Sequence, residues 1–190
     1  VITTKNGANT DRMTVNARVQ STLSAPTKIQ KIADGVTYMR NYNEAYFDAN
    51  DRAYFSDDKI NGTIAGLDPY IYPNNNWYDL MFKDFTVNQN ANINVTGGSK
   101  KVDYFLNASY FRENGIYKQQ EVSNFSNNNN LNKFSFQSNV AANITPTTRI
   151  GVKLNSMLQY RYMPTESSSS LFYNAMRANP VSFPVLFPSE

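Results

Sequence analysis

Four aspartates lie close together in this chain, at Asp48, Asp51, Asp57 and Asp58. Carboxylates grouped in this way suit two chemistries, a calcium site or the acid pair of a glycosidase. Asp48-x-Asn50 opens like an EF-hand loop, but its sixth position is Ala53 and its twelfth is Lys59. That loop needs Gly at the sixth position and a bidentate Glu at the twelfth, so no metal is expected here. A glycosidase pair is defined by the distance between its carboxyls, which chain spacing does not supply. A solvated loop is the plainer expectation for these acids. The second group is aromatic. Tyr70, Tyr72, Trp77 and Tyr78 are candidates for a platform on which a sugar ring stacks, but packing of its own segment onto the fold is the favoured expectation for Trp77.

Other chemistries are excluded by residue type. The chain has no Cys, hence no disulfide, thiolate metal site or Cys nucleophile. It has no His, hence no Ser-His-Asp arrangement, HExxH zinc site or imidazole base. No cofactor and no bond chemistry are expected. The net charge is +3 and no Lys/Arg run exists, so a nucleic-acid footprint is not supported. Charged residues make up only 17% and aromatic residues 14%, with Asn, Ser and Tyr in their place. Missing Cys fits a cytosolic or a Gram-negative envelope protein alike. No run of about 18 apolar residues exists, so no transmembrane helix is expected. The chain opens at Val1 without Met or a signal-peptide pattern, and processing or truncation is the expected reason.

The elements that must position these groups show a rhythm. Val102, Tyr104, Leu106, Ala108 and Tyr110 alternate with residues such as Asp103, Asn107 and Ser109. Phe134, Phe136, Val140, Ala142 and Ile144 alternate with Ser135, Gln137, Asn139 and Asn143. Ile150, Val152, Leu154, Leu158, Tyr160 and Tyr162 alternate with Arg149, Lys153, Asn155, Gln159 and Arg161. Alternation puts one apolar and one polar face on each strand. Five strands are predicted, at 12–24, 87–97, 101–112, 132–144 and 149–162. Tight turns at Gly97-Gly98-Ser99-Lys100 and Thr145-Pro146-Thr147-Thr148 alternate with long loops at 26–86, 113–131 and 163–190. The first loop is partly helical: Lys28 to Phe47 repeats at helical spacing, and Asn76 to Phe82 reads as a short capped helix. A further short helix is expected at Leu171 to Ala178, and Asn127 to Asn130 reads as a solvated tract.

Strands of this length, with loops alternately short and long, fit an all-β antiparallel transmembrane barrel. Sandwich strands are shorter, about 5–6 residues. If the two tight turns share one side, Tyr110, Phe134, Phe136, Tyr160 and Tyr162 mark the other membrane interface. In such a barrel Arg18, Asn92, Asn107, Lys153 and Arg161 would face the lumen, and the apolar faces would meet outer-membrane lipid. The alternative is a soluble, secreted β-rich carbohydrate-binding or adhesion module, whose apolar faces would turn inward to a second sheet. Sequons at Asn61, Asn94, Asn107, Asn124 and Asn143 read as chance, since several fall in predicted strands where a glycan does not fit.

Several segments together resemble SusC/RagA-type TonB-dependent transporters of Bacteroidota outer membranes. Val1 to Lys5 (VITTK) looks like the last strand of that family's plug. Tyr38 to Ala45 (YMRNYNEA) is similar to the helix of its first long loop. Tyr72 to Lys83 (YPNNNWYDLMFK) resembles its Tyr-Pro…Asp-Trp-Tyr-Asp segment, with Asn76 where Asp is commoner. Asn92 to Lys118 is the strongest match, and Asn132 to Asn155 resembles the following hairpin. The resemblance implies the first five or so strands of a plugged barrel of about 22 strands, located in the outer membrane. It implies TonB-powered import of oligosaccharides or peptides with a SusD-like surface lipoprotein, the TonB contact lying in N-terminal parts absent here. At 190 residues the chain is too short for the whole transporter, and five strands cannot close a barrel, so a piece of a longer protein is expected.

Overall fold

A computed structural model describes residue 7, residues 11–119 and residues 128–187. The Val1–Lys5 segment and the sequon at Asn124 lie outside the described residues. The described residues fall into two compact units.

The first unit is one five-stranded antiparallel meander in the order β1-β2-β3-β4-β5. Its strands are β1 (Thr14–Ser24), β2 (Thr86–Gly98), β3 (Val102–Glu113), β4 (Asn130–Thr145) and β5 (Thr148–Tyr162). Each bound lies within a few residues of the expected one. A sequential meander reverses direction at every step. The β2–β3 and β4–β5 turns therefore share one end of the sheet, and the chain leaves after β1, β3 and β5 from the other. Ser99 shapes the first turn, its amide donating to the Val102 carbonyl while its Oγ accepts from Lys101.

Register fixes the faces. Ala17, Ile93, Ala108, Phe136 and Ser156 pair across all five strands. The rows beside them join Val15, Val95, Leu106 and Leu154, and Val19, Ala91, Tyr110, Phe134 and Leu158. One face is thus mainly apolar, interrupted in these rows by Ser138 and Ser156. Along β5 it runs from Ile150 to Tyr162, roughly 40 Å at about 3.3 Å per residue. That length crosses an apolar band of about 25 Å at a tilt near 45°. Tyr110 and Phe134 stack at 4.9 Å near the loop end, where Tyr160 and Tyr162 also lie on this face.

The apolar face is open. Val152, Leu154 and Leu158 are exposed, but β5 is an edge strand exposed on both faces, so it decides little. The interior strands decide more: Ile93 is 47% exposed, Phe134 45% and Phe136 41%. Tyr104 and Leu106 are half-buried rather than exposed, each packed between neighbours in the same row. Among the described residues there is no second sheet. A contiguous apolar surface of this extent is unusual on a soluble monomer and suits an apolar medium.

Asn128 and Asn129 are not the solvated tract expected from composition. Asn128 is buried and donates from Nδ2 to the Gly115 carbonyl at 3.2 Å, while Asn130 Oδ1 accepts from the Gly115 amide at 3.0 Å. The approach is so close that a Cβ at Gly115 would collide with Asn128, which explains the glycine.

The second unit contains the described residues of 26–83, 117–119 and 164–187. Its helices are α1 (Gly35–Asn50), α2 (Asp57–Ile64), α3 (Trp77–Met81) and α4 (Ser168–Arg177). α1 starts seven residues later than the periodicity of Ile29 and Ile32 suggested. The local signal is Asp34, whose Oδ1 accepts from the Thr37 amide at 2.7 Å as N-cap, and the helix ends where Asp51 turns left-handed. α2 lies inside the stretch expected to be an irregular polar loop, and its cap is Ser56. The unit's core is Met39, Ile60 and Val181, with Val36, Tyr38 and Phe55 against it. A second cluster joins Tyr78, Phe82, Tyr117 and Phe172, reinforced by an antiparallel bridge between Phe82 and Tyr117.

The Thr37 hydrogen bonds hold the Asp34 carboxyl below its ordinary range. A depressed carboxylate supplies its stabilisation above the unfolded value, near pH 4, and loses it as pH falls through the folded value. Protection of the amides at the start of α1, taken relative to their intrinsic exchange rate, should therefore fall below about pH 4. Asp34→Ala should cost about 1 kcal/mol of local stability and remove that pH dependence, as read by amide exchange across residues 35–39.

Candidate functional site

The polar face of the sheet is built by the other half of each alternation. Asn16, Asn94, Asn107, Gln137 and Asn155 form one row across all five strands. Their amides interlock: Asn16 Nδ2 donates to Asn94 Oδ1 at 3.2 Å, Asn94 to Asn92 at 3.4 Å, and Asn92 to Asn107 at 2.7 Å. Neutral amides carry a donor and an acceptor each, so this surface hydrogen-bonds water, hydroxyls or peptide groups without a fixed charge. Arg18, Lys133, Arg149, Lys153 and Arg161 share the face with Asp103 and Glu113, which makes it net positive. Arg149 forms an ion pair with Asp103, reaching across β4. That pair, with Asn139, Ala141, Gly151 and Lys153, lines an open hollow of about 570 Å³.

Arg18, Asn92, Asn107, Lys153 and Arg161 thus all lie on one face. Register brings Arg18 and Asn92 side by side, and Asn92 contacts Asn107 directly. Lys153 lies across the row of Asn139, and Arg161 lies at the loop end opposite Leu131.

In the second unit, the four candidate stacking residues do not converge. Tyr70 is exposed, its amide donating to Asp68 Oδ1. Tyr72 packs its ring over Gly62, with Lys59 Nζ 5.4 Å from its centroid. Partial burial lowers the Lys59 pKa from its ordinary value, and its ammonium donates to the Ile71 carbonyl. Tyr78 is buried against Phe82. Trp77 donates from Nε1 to the Asn179 carbonyl at 2.9 Å and packs on Phe183 at 5.1 Å. The aspartates are dispersed as well: Asp48 is in α1, Asp51 is its left-handed cap, and Asp57 and Asp58 open α2.

A different aromatic surface is present. Tyr38, Tyr42 and Tyr46 follow one another at a helical interval of four along α1, and Tyr54 and Phe55 pack against them at 5.0–6.2 Å. Asn43 fixes the arrangement: its Oδ1 accepts from the Tyr54 and Phe55 amides at 3.0 and 2.7 Å, and its Nδ2 donates to the Phe55 carbonyl at 2.8 Å. Tyr54 remains 58% exposed and Tyr42 39%. The helical spacing across Lys28 to Phe47 was visible in the sequence. The turn that brings Tyr54 beside it was not.

No protein-family model matches the chain. It is 24% identical over 182 residues to a TonB-dependent receptor of Formosa agariphila, a match covering 95% of this chain and 16% of that receptor. Its fold matches a solved structure of the RagAB peptide transporter with a TM-score of 0.64 at 17% identity, over 84% of this chain and 19% of that one. A structure of the RagAB peptide importer in its closed-closed state matches with a TM-score of 0.62 at 18% identity, over 85% and 19%. The fold is that of an open stretch of a larger antiparallel β-structure. The resemblance to SusC/RagA-type TonB-dependent transporters drawn from the sequence is borne out, the chain corresponding to less than a fifth of the length of each of these relatives.

Proposed function

We propose that this chain is the beginning of the barrel of an outer-membrane, TonB-dependent import receptor. The observation that carries this reading is the sheet itself, apolar and exposed on one face and amide-lined on the other, with both edges open to further strands. The apolar face meets lipid, and Arg18, Asn92, Asn107, Lys153 and Arg161 face the lumen. The receptor takes up oligosaccharides or peptides together with a SusD-like surface lipoprotein, and performs no bond chemistry. The resemblance to SusC/RagA-type transporters, with RagAB peptide transporters of the same fold, supports the lipoprotein partner.

The loop of residues 26–86 then stands outside the cell. Deleting Asp48 to Asp68 is expected to impair lipoprotein capture or uptake while the barrel still assembles. The deletion also removes Ile60 from the unit's core, so the sharper variant is Tyr42→Ser with Tyr54→Ser, both exposed. In the complete receptor this double variant should leave heat-modifiable barrel migration unchanged and weaken lipoprotein co-purification or uptake several-fold. Comparing labelled peptides with labelled oligosaccharides separates the two substrate classes. Wild-type receptor that imports neither would refute the reading.

A further inference from the structure

We propose that residues 26–83 and 164–187, which leave the sheet after different strands, act as one moving body locked by Asn75, Trp77 and Asn179. The lock is a set of hydrogen bonds between segments about a hundred residues apart. The Asn75 amide donates to the Pro180 carbonyl at 2.9 Å, and Asn75 Nδ2 to the Phe183 carbonyl at 2.8 Å. Trp77 Nε1 takes the Asn179 carbonyl, and Asn179 Nδ2 donates to Tyr38 Oη at 3.1 Å. The carbonyls of Asn179, Pro180 and Phe183 are thus all satisfied by the other segment. Prolines at 180 and 184 remove two amide donors from the tail.

Dependence runs the other way too. Val181, 2% exposed, completes the core of Met39 and Ile60. Gly35 opens α1 hard against it: a Cβ there would come within 2.5 Å of Val181 Cγ1 and 2.7 Å of Asn74 Oδ1. Asn74 Oδ1 accepts from the Gly35 amide at 2.8 Å, so the helix start, the Asn74–Trp77 stretch and the tail share one set of contacts. Segments that complete each other's core and hydrogen bonds open together rather than singly. In an import receptor, on which reading the consequence rests, neither loop can shift without carrying the other, so whatever moves one moves both.

Hydrogen–deuterium exchange on the complete receptor in detergent tests this. Trp77→Phe keeps an aromatic ring beside Phe183, though a smaller one, and removes the Nε1 donor. It should speed exchange about fivefold, the worth of one hydrogen bond, in residues 179–187 and in α1 alike, with β2–β5 unchanged. Val181→Ala, on the other side of the lock, should give the same paired response. A response confined to the mutated segment, or none in either, overturns the proposal. Paired exchange in a receptor that imports nothing would remove the import reading and leave the one-body inference standing; unpaired exchange with normal uptake would do the reverse.

Discussion

Leu154→Arg or Ile93→Arg should each destabilise the folded protein in lipid by roughly 2–4 kcal/mol, the cost of a cation near the middle of a bilayer. The two positions lie in adjacent rows near the middle of the strands' length. Asn94→Arg, the next residue along β2 from Ile93, points to the amide-lined face and should cost less, about 1 kcal/mol for the amide hydrogen bonds to Asn16 and Asn92 that it loses. The contrast matters more than either value. In a soluble protein with this face in water, Arg at Ile93 would be neutral or would improve solubility. Equilibrium unfolding in lipid vesicles, followed by heat-modifiable gel migration, reads the difference. Equal behaviour of Ile93→Arg and Asn94→Arg would remove the membrane-spanning assignment. The same substitutions in β1, at Val15 and Ala17, test whether the band continues to the open edge, where further strands must pair.

The sheet was legible in the sequence because its causes are local. Alternation sets the face of each residue, and the Gly97–Lys100 and Thr145–Thr148 turns set the register, so strand bounds came within a few residues. The Lys28–Phe47 helix was misplaced at its start because Ile29 and Ile32 carry apolar spacing without a cap. Asp34 supplies the cap, and a polar residue inside an apolar pattern is easily passed over. α2 was missed because Asp57 and Asp58, read as loop acids, are first-turn residues favoured by the helix dipole. What Trp77 touches was beyond reach. Its partners Asn179 and Phe183 lie about a hundred residues away, and nothing in the spacing of Tyr70, Tyr72, Trp77 and Tyr78 reveals that their rings serve separate contacts. That Arg18, Asn92, Asn107, Lys153 and Arg161 share one face follows from parity alone, whereas the amide relay from Asn16 to Asn107 needed the register.

Met39→Ala should produce the largest loss within the second unit. Met39 is fully buried between Ile60 and Val181, and truncating a side chain of that size costs about 2–5 kcal/mol through lost transfer energy and the cavity left behind. The unit has few other fully buried apolar groups, so little remains to absorb the loss. Proteolysis and amide exchange should therefore report opening of α1, α2 and the 179–187 tail together, while strands β2–β5 keep wild-type protection. Met39→Leu, nearly equal in volume, should cost less than about 1.5 kcal/mol and restore most of the protection. Loss of sheet protection in Met39→Ala would mean that the two units fold as one cooperative structure. Opening of the unit alone would make it a separately stable element, able to move or unfold while the strands of the sheet stay paired, as the proposed import reading requires.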